Sequence, residues 1–305
     1  MTTLHELARL ARVHTSTVSR ALRDDHRISA TVRQRIKRLA DDAGYRPHRA
    51  AQQLVGRRCQ TVYLTCSDLT TPRQARLTMA CAAAAGEAGL DLLLGADTGD
   101  AAKARHALRQ LGPGRVDGLL LLPSAASDCT SELAQLHLAG LRLVALGQRP
   151  PHLDIPCIGD DEGMAAESLI RSLAARGCRQ LFCPLSAGSS SGASRLAACR
   201  AAAKRIGLPL ANREPLTNDE GHIALLSDDA TAATASCRRL GPRAPVELHL
   251  AFFHDPADDR PDASRVCASL TGLRRDETAW ATRAIACLLD PTLPGVRLTP
   301  NLCSG

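Results

Sequence analysis

Apolar residues over the first 45 positions recur at three- and four-residue intervals. Leu4, Leu7, Ala8 and Ala11 form one stripe, Val18, Ala21 and Leu22 a second, and Val32, Ile36, Leu39 and Ala40 a third. That period predicts three short helices, over 4–11, 15–22 and about 29–43. Thr3, with Glu6 three positions on, reads as a capping box that starts the first helix. Gly44 reads as the stop of the third, and Pro47 blocks its continuation. Beyond Arg58 the texture changes. Short apolar runs (TVYLTC, LDLLLGA, DGLLLLP, LRLVALG, RQLFCPL, HIALLS, VELHLAFF) alternate with Ala-rich helical stretches at 74–88, 101–111, 161–176 and 194–206. This alternation predicts an α/β fold, a parallel sheet with helices on both faces. Such sheets bind ligands at the carboxyl ends of their strands.

Composition adds a division of labour. The 305 residues suit two or three compact units, and 45% hydrophobic with 23% charged residues is ordinary for a soluble protein. Aromatics are 2%, so Ala, Leu, Val and Ile must fill the core. The net charge is +7, and its placement matters more than its size. Residues 1–58 carry thirteen Lys/Arg against five Asp/Glu, a net of +8, which leaves −1 for the remainder. A basic module on a neutral body is the footprint of a nucleic-acid binder; a solvated basic face is the competing reading. The twelve cysteines show neither CxxC pairs nor Cys/His metal spacing and sit in apolar runs as small hydrophobes. No metal and no cofactor are expected. The chain opens without a secretory signal and has no apolar run of 18 residues, so a cytoplasmic protein with reduced thiols is expected.

The segment LHELARLARVHTSTVSRAL reads as helix, turn at 12–14, helix. In a helix-turn-helix the second helix enters the major groove and its first side chains reach base edges. Thr15, Ser16 and Arg20 stand on that helix, and Arg can bond guanine through O6 and N7. A generic three-helix bundle that touches no nucleic acid fits the same pattern.

The next segment separates these readings. TVSRAL, the AGYRP end of the third helix and RAAQQLVGRR occur in the order and spacing of the lactose-repressor (LacI/GalR) family, and residues 1–58 closely resemble its headpiece and hinge. The resemblance implies a DNA-binding headpiece over 1–45 and a hinge helix over 46–58, the latter folding only on operator DNA. It implies DNA contacts from Thr3, His14, Thr15, Ser16, Thr17, Ser19, Arg20, Ser29, Arg33, Tyr45, His48, Arg49, Gln52 and Gln53. Leu54 would be the apolar wedge that, with its dimer mate, kinks the central minor groove. Three positions depart from the family. Arg12 stands where Gly is frequent in the turn, which asks a left-handed backbone of a bulky residue. His14 replaces the usual Ser before the second helix, which should weaken its cap. His48 replaces a common Asn.

The resemblance continues to the end of the chain through RVDGLLLLP, CIGDDEGMAAESLIRSLAARGCRQLFCPL, SRLAACRAAAKRIGL, HIALLSDDATAATA and VELHLAFFHD. It implies a periplasmic-binding-protein-like core over 59–305, with two α/β lobes at about 59–158 and 159–270 and a C-terminal segment crossing between them. Effector-binding positions carried over are Asp68, Arg73, Gln148, Arg195, Asp228, Phe253, His254 and Asp255. Arg73 and Gln74 stand where the family often has aromatics, so a pocket without stacking rings, unsuited to a flat purine base, is expected. Arg73 favours an anionic or hydroxyl-rich ligand. Family members that sense gluconate-type ligands share the His at position 254 and the LTxxLxxG run at 298–305, which points to a sugar acid.

No GxSxG, Walker or HExxH motif appears, so an enzyme is not expected. The Gly/Ser-rich stretch 186–194 lacks the Lys-Ser/Thr sequel of a phosphate cradle and reads as a cleft loop. The expectation is a homodimeric regulator, a repressor on a palindromic operator, tuned by a sugar or sugar acid. No heptad tail for tetramer formation is seen. One rival is a regulator of the same DNA-binding type whose core senses a partner protein. A second is a periplasmic-type solute binder, against which the basic headpiece speaks.

Overall fold

In the computed structural model of the chain, the described residues are 2–45, 59–112, 114–185, 190–215, 221–227, 233, 238, 246–255 and 267–304. The chain divides into two compact units, Met1–Cys59 and Gln60–Gly305.

The first unit holds α1 (Leu4–Ala11), α2 (Thr15–Ala21) and α3 (Ala30–Asp42). The predicted apolar stripes meet in a small core of Leu7, Ala8, Ala11, Val18, Ala21, Ile36 and Ala40. The capping box is present. Thr3 Oγ1 accepts the Glu6 N–H at 3.2 Å, and the Glu6 carboxylate accepts the Thr3 N–H at 2.8 Å. The Thr3 N–H and hydroxyl, both donating to it, hold the Glu6 carboxyl below its ordinary range. α1 ends on Arg12 at φ 53°, ψ 43°, the left-handed conformation that the departure from Gly foreshadowed. Arg35 closes the same end by donating to the Ala11 carbonyl at 2.9 Å. Gly44, at φ +59°, turns the chain out of α3 so that the Tyr45 N–H reaches the Ala40 carbonyl at 2.8 Å.

The second unit contains two six-stranded sheets. The first has the order β11-β5-β4-β3-β1-β2, built from β1 (Thr61–Cys66), β2 (Asp91–Ala96), β3 (Gly118–Leu121), β4 (Arg142–Leu146), β5 (Cys157–Asp160) and β11 (Arg297–Leu298). The second has the order β12-β10-β9-β8-β6-β7, from β6 (Gln180–Phe182), β7 (Leu210–Ala211), β8 (Gly221–Ser227), β9 (Val246–Phe252), β10 (Cys267–Arg274) and β12 (Asn301–Ser304). All pairs are parallel except β10 with β12. The helices are α4 (Pro72–Glu87), α5 (Ala101–Arg109), α6 (Thr130–Leu138), α7 (Glu162–Ala175), α8 (Ser190–Ile206) and α9 (Glu277–Leu289).

Parallel strands covered on both faces must be apolar on both, and here they are. In the first sheet Val62, Leu64, Leu120, Val144 and Leu146 pack on α4 and α9, through Leu77, Cys81, Ala284 and Ile285. The alternate residues Tyr63, Leu119, Leu121, Leu143 and Ala145 pack on α5 and α6, through Ala104, Leu108, Leu133 and Leu136. In the second sheet Leu181, Ala224, Leu226 and Ala251 face α7 and α8, while Phe182, Ile223, Leu225, Leu248 and Phe252 form a separate cluster on the other side. The chain passes between sheets three times, from β5 into α7, from β10 into α9, and from β11 into β12.

Candidate functional site

Two surfaces carry the candidate chemistry, and each lies within one unit. In the first, α2 exposes Ser16 and Arg20 to solvent, with Thr15, Thr17 and Ser19 half-exposed around them, while Val18 and Ala21 anchor the opposite face. The turn is held by the left-handed Arg12 and by a Val13 N–H bond to the Ala8 carbonyl at 3.1 Å. His14 corrects an expectation. It is the N-cap of α2 and does cap, because its Nδ1 accepts the Ser16 N–H at 3.3 Å and lies 2.8 Å from Ser16 Oγ. An unprotonated imidazole nitrogen at this reach replaces the hydroxyl oxygen of Ser.

The other headpiece positions differ in availability. Thr3 is exposed, its hydroxyl engaged in the capping box. Ser29 is exposed at the start of α3 and makes no side-chain cap bond. Arg33 turns inward, donating to the carbonyls of Ile28 at 2.6 Å and Asp25 at 3.3 Å, which fixes the loop between α2 and α3. Tyr45 packs on the headpiece core, and burial pushes its hydroxyl above the ordinary phenol range. His48, Arg49, Gln52, Gln53 and Leu54 lie outside the described residues, as does the whole hinge segment 46–58.

The second surface is a cleft of about 470 Å³ in the core unit, at the carboxyl ends of the strands. Thr70, Thr71, Pro72, Arg73, Gln74 and Leu77 supply one wall, from the amino-terminal end of α4. Leu122 and Pro123 follow β3, Leu146 ends β4 with Gly147 after it, His254 follows β9, and Trp280 comes from α9. Pro72 occupies the first turn of α4, where no N–H is needed, and that turn borders the cleft. Among the described lining residues there is no carboxylate, while Arg73 and His254 are both present. An Arg in a lining without an acid suits an anionic ligand.

Trp280 overturns the expected absence of an aromatic. The ring comes not from the loop after β1 but from a helix more than two hundred residues later that returns to the first sheet. Arg275 lies over its face at 5.9 Å.

The remaining predicted cleft residues divide. Asp68 braces the loop before α4, accepting the Thr70 N–H at 2.8 Å and hydroxyl at 2.7 Å, which keeps its carboxyl below the ordinary range. Its own N–H donates to Gln74 Oε1 at 3.2 Å. Arg195 donates to both oxygens of Glu162, at 3.2 and 3.1 Å, and lies 5.4 Å over the buried ring of Phe253. Burial pushes the Glu162 carboxyl up, against the pull of Arg195. Asp255 accepts from Arg274 at 2.7 Å. Gln148 is half-buried directly after the cleft residue Gly147. Asp228 and positions 186–189 of the Gly/Ser-rich loop lie outside the described residues. Glu162 and Arg275 were missed. Each is an ordinary surface-type residue in the sequence; only the packing of α7 on α8 brings Glu162 to Arg195, and only the packing of the lobes brings Arg275 to Asp160.

Residues 3–48 match the family model described as bacterial regulatory proteins, lacI family, and residues 60–241 match that of periplasmic binding proteins and the sugar binding domain of the LacI family. The chain belongs to the LacI family.

It is similar to the HTH-type transcriptional regulator PtxS of Pseudomonas plecoglossicida, with 28% identity over 94% of this chain and 88% of PtxS. With the HTH-type transcriptional regulator DegA of Bacillus subtilis the identity is 25%, over 68% of this chain; that match spans 63% of DegA, under two thirds of its length. Among solved structures, the Lac repressor dimer bound to operator and the anti-inducer ONPF superposes with a TM-score of 0.72 at 20% identity, over 99% of this chain and 97% of the repressor. That likeness establishes the shared architecture of this LacI-family chain: helix-turn-helix headpiece followed by a two-sheet core. No described helix is long and apolar enough to cross a membrane.

Proposed function

We propose that this LacI-family protein is a sequence-specific transcription repressor that binds a palindromic operator as a homodimer and is controlled by a sugar acid in the core cleft. The observation that carries the DNA half of the reading is the exposed, capped amino-terminal end of α2, where Ser16 and Arg20 stand clear of the headpiece core. A recognition helix reads bases from that end. The cleft half rests on Arg73, His254 and the α4 amino terminus converging, with no carboxylate among the described lining residues. Thr70, Thr71 and Gln74 supply partners for hydroxyls, and Trp280 supplies an apolar wall for a sugar face. The protein works in the cytoplasm and performs no catalysis.

Pairing of two copies is supported by apolar surface. Leu93 and Leu94 on the edge strand β2 and Met79 on α4 are exposed, and an unpaired apolar edge of this kind is unfavourable in water.

The test has two arms. Footprinting and fluorescence anisotropy with the promoter DNA flanking the gene should show a two-fold symmetric protected site. Leu54→Ala should bind it more weakly and bend it less, the result expected of a minor-groove wedge. A thermal-shift screen of sugars and sugar acids should raise the Tm of the full chain with an acid. Absence of any symmetric site sinks the DNA reading, and a response to neutral sugars alone sinks the acid.

A further inference from the structure

β8 and β9 run parallel, with His222 opposite Glu247 and Ala224 opposite His249. Alternation along a strand then puts Glu247 and His249 on one face, and His222 shares it. These three side chains lie at the amino-terminal end of the second sheet, the end remote from the cleft. His222 Nδ1 is 3.2 Å from one oxygen of Glu247, and His249 Nε2 is 3.7 Å from the other. The three prospective donor atoms all fall within 4.8 Å of one another, the one such group among the described residues.

His249 is what makes this more than a surface cluster. It is only 4% exposed, and its Nε2 is buried without a hydrogen-bond partner. Its other nitrogen, Nδ1, lies 2.6 Å from Ser269 Oγ on β10. With the proton on Nδ1, donated to Ser269, the Nε2 lone pair points at Glu247 and His222. A metal-binding His is ordinarily oriented in this way, its second nitrogen held by a hydrogen bond that sets the tautomer. Two imidazoles and one carboxylate form a donor set that suits zinc and its first-row neighbours, with a fourth position left for water.

We propose that His222, Glu247 and His249 form a binding site for a zinc-class divalent cation, with Ser269 as the positioning residue behind His249. Donors each about 2.1 Å from one ion are at most about 4 Å apart, so a small rotation of the half-exposed His222 or Glu247 closes the site. Burial lowers the affinity of His249 for protons, so the ring meets a cation in its neutral form. The bound ion would tie β8 to β9, and through Ser269 to β10, in the sheet whose strand β9 leads into His254.

The experiment is calorimetric titration of the tag-free full chain with zinc chloride near neutral pH. One ion per chain is expected for the parent. His222→Ala and Glu247→Gln alter half-exposed side chains, and each should cut the affinity roughly tenfold or more; Ser269→Ala should do so by a similar factor without removing a ligand. Cobalt(II) absorption distinguishes the cysteines as a competing source: this site gives only weak ligand-field bands, without thiolate-to-cobalt charge transfer. The proposal is overturned if the parent binds no zinc, if both ligand variants bind like the parent, or if the cobalt complex shows the thiolate band.

Discussion

The guanidinium of Arg275 is locked onto the carboxylate of Asp160, both side chains buried. Asp160 ends β5 of the first sheet, and Arg275 follows β10 of the second, so the pair joins the lobes beside two of the chain crossings. Both guanidinium contacts fall on Oδ2, leaving Oδ1 buried without a hydrogen-bond partner. Arg275 also donates to the Phe253 carbonyl at 2.9 Å, one residue before the cleft His254. Asp160→Ala would leave this cation buried and unpaired, a change that costs about 3–5 kcal/mol. Chemical denaturation of the full chain should show that loss in the core transition; unchanged stability would mean that the pair is not closed in solution.

The headpiece offers a sharper contrast between stability and reading. His14→Ala removes the cap of α2 and should destabilise the headpiece by about 1 kcal/mol, while His14→Ser restores the cap. Arg20→Ala should leave that stability unchanged and relax discrimination at one base pair by about 1–3 kcal/mol. Denaturation monitored on the headpiece, together with binding to single-substituted operators, separates the two effects. Loss of stability in Arg20→Ala would assign that side chain to the fold instead.

In the cleft, Arg73→Ala should weaken an anionic sugar roughly tenfold or more, equivalent to about 1.4 kcal/mol, and leave neutral sugars nearly unaffected. Parallel titrations with an aldonic acid and the corresponding aldose give the comparison. Equal losses for both would place Arg73 outside the recognition of charge.

The sign of one pH effect follows from His249. Burial, with Arg176 and His222 adding repulsion against the opposing pull of Glu247, lowers its pKa from the ordinary 6.5. Below that value the unfolded chain binds a proton that the folded chain refuses, so stability falls as the pH drops through the window beneath about 6.5. His249→Gln should flatten this part of the Tm–pH curve. An unchanged slope would assign the acid sensitivity to other groups.

Much of this was legible because the signals were local. The capping box at Thr3 and Glu6 and the apolar runs of the buried strands appear where periodicity and turn chemistry put them. β7 and β11, two residues each, and the polar β10 escaped notice because an edge or mixed-polarity strand carries no pattern of its own. Long-range partners were invisible for the same reason. Nothing near Arg195 announces Glu162, and the HIALLS and VELHL segments reveal a shared His/Glu cluster only once β8 and β9 are paired. The cap at His14 departs from the expectation because residue type alone does not convey the reach of its Nδ1.

The last eight described residues hold a final consequence. β11 completes one edge of the first sheet and β12 one edge of the second, with two residues between them. Neither lobe is therefore a contiguous stretch of gene. Recombination that swapped one lobe for that of a relative would have to exchange two or more separate segments together, and a frameshift near codon 296 would strip an edge from both sheets. The two lobes are bound to be inherited, and to be varied, as one piece.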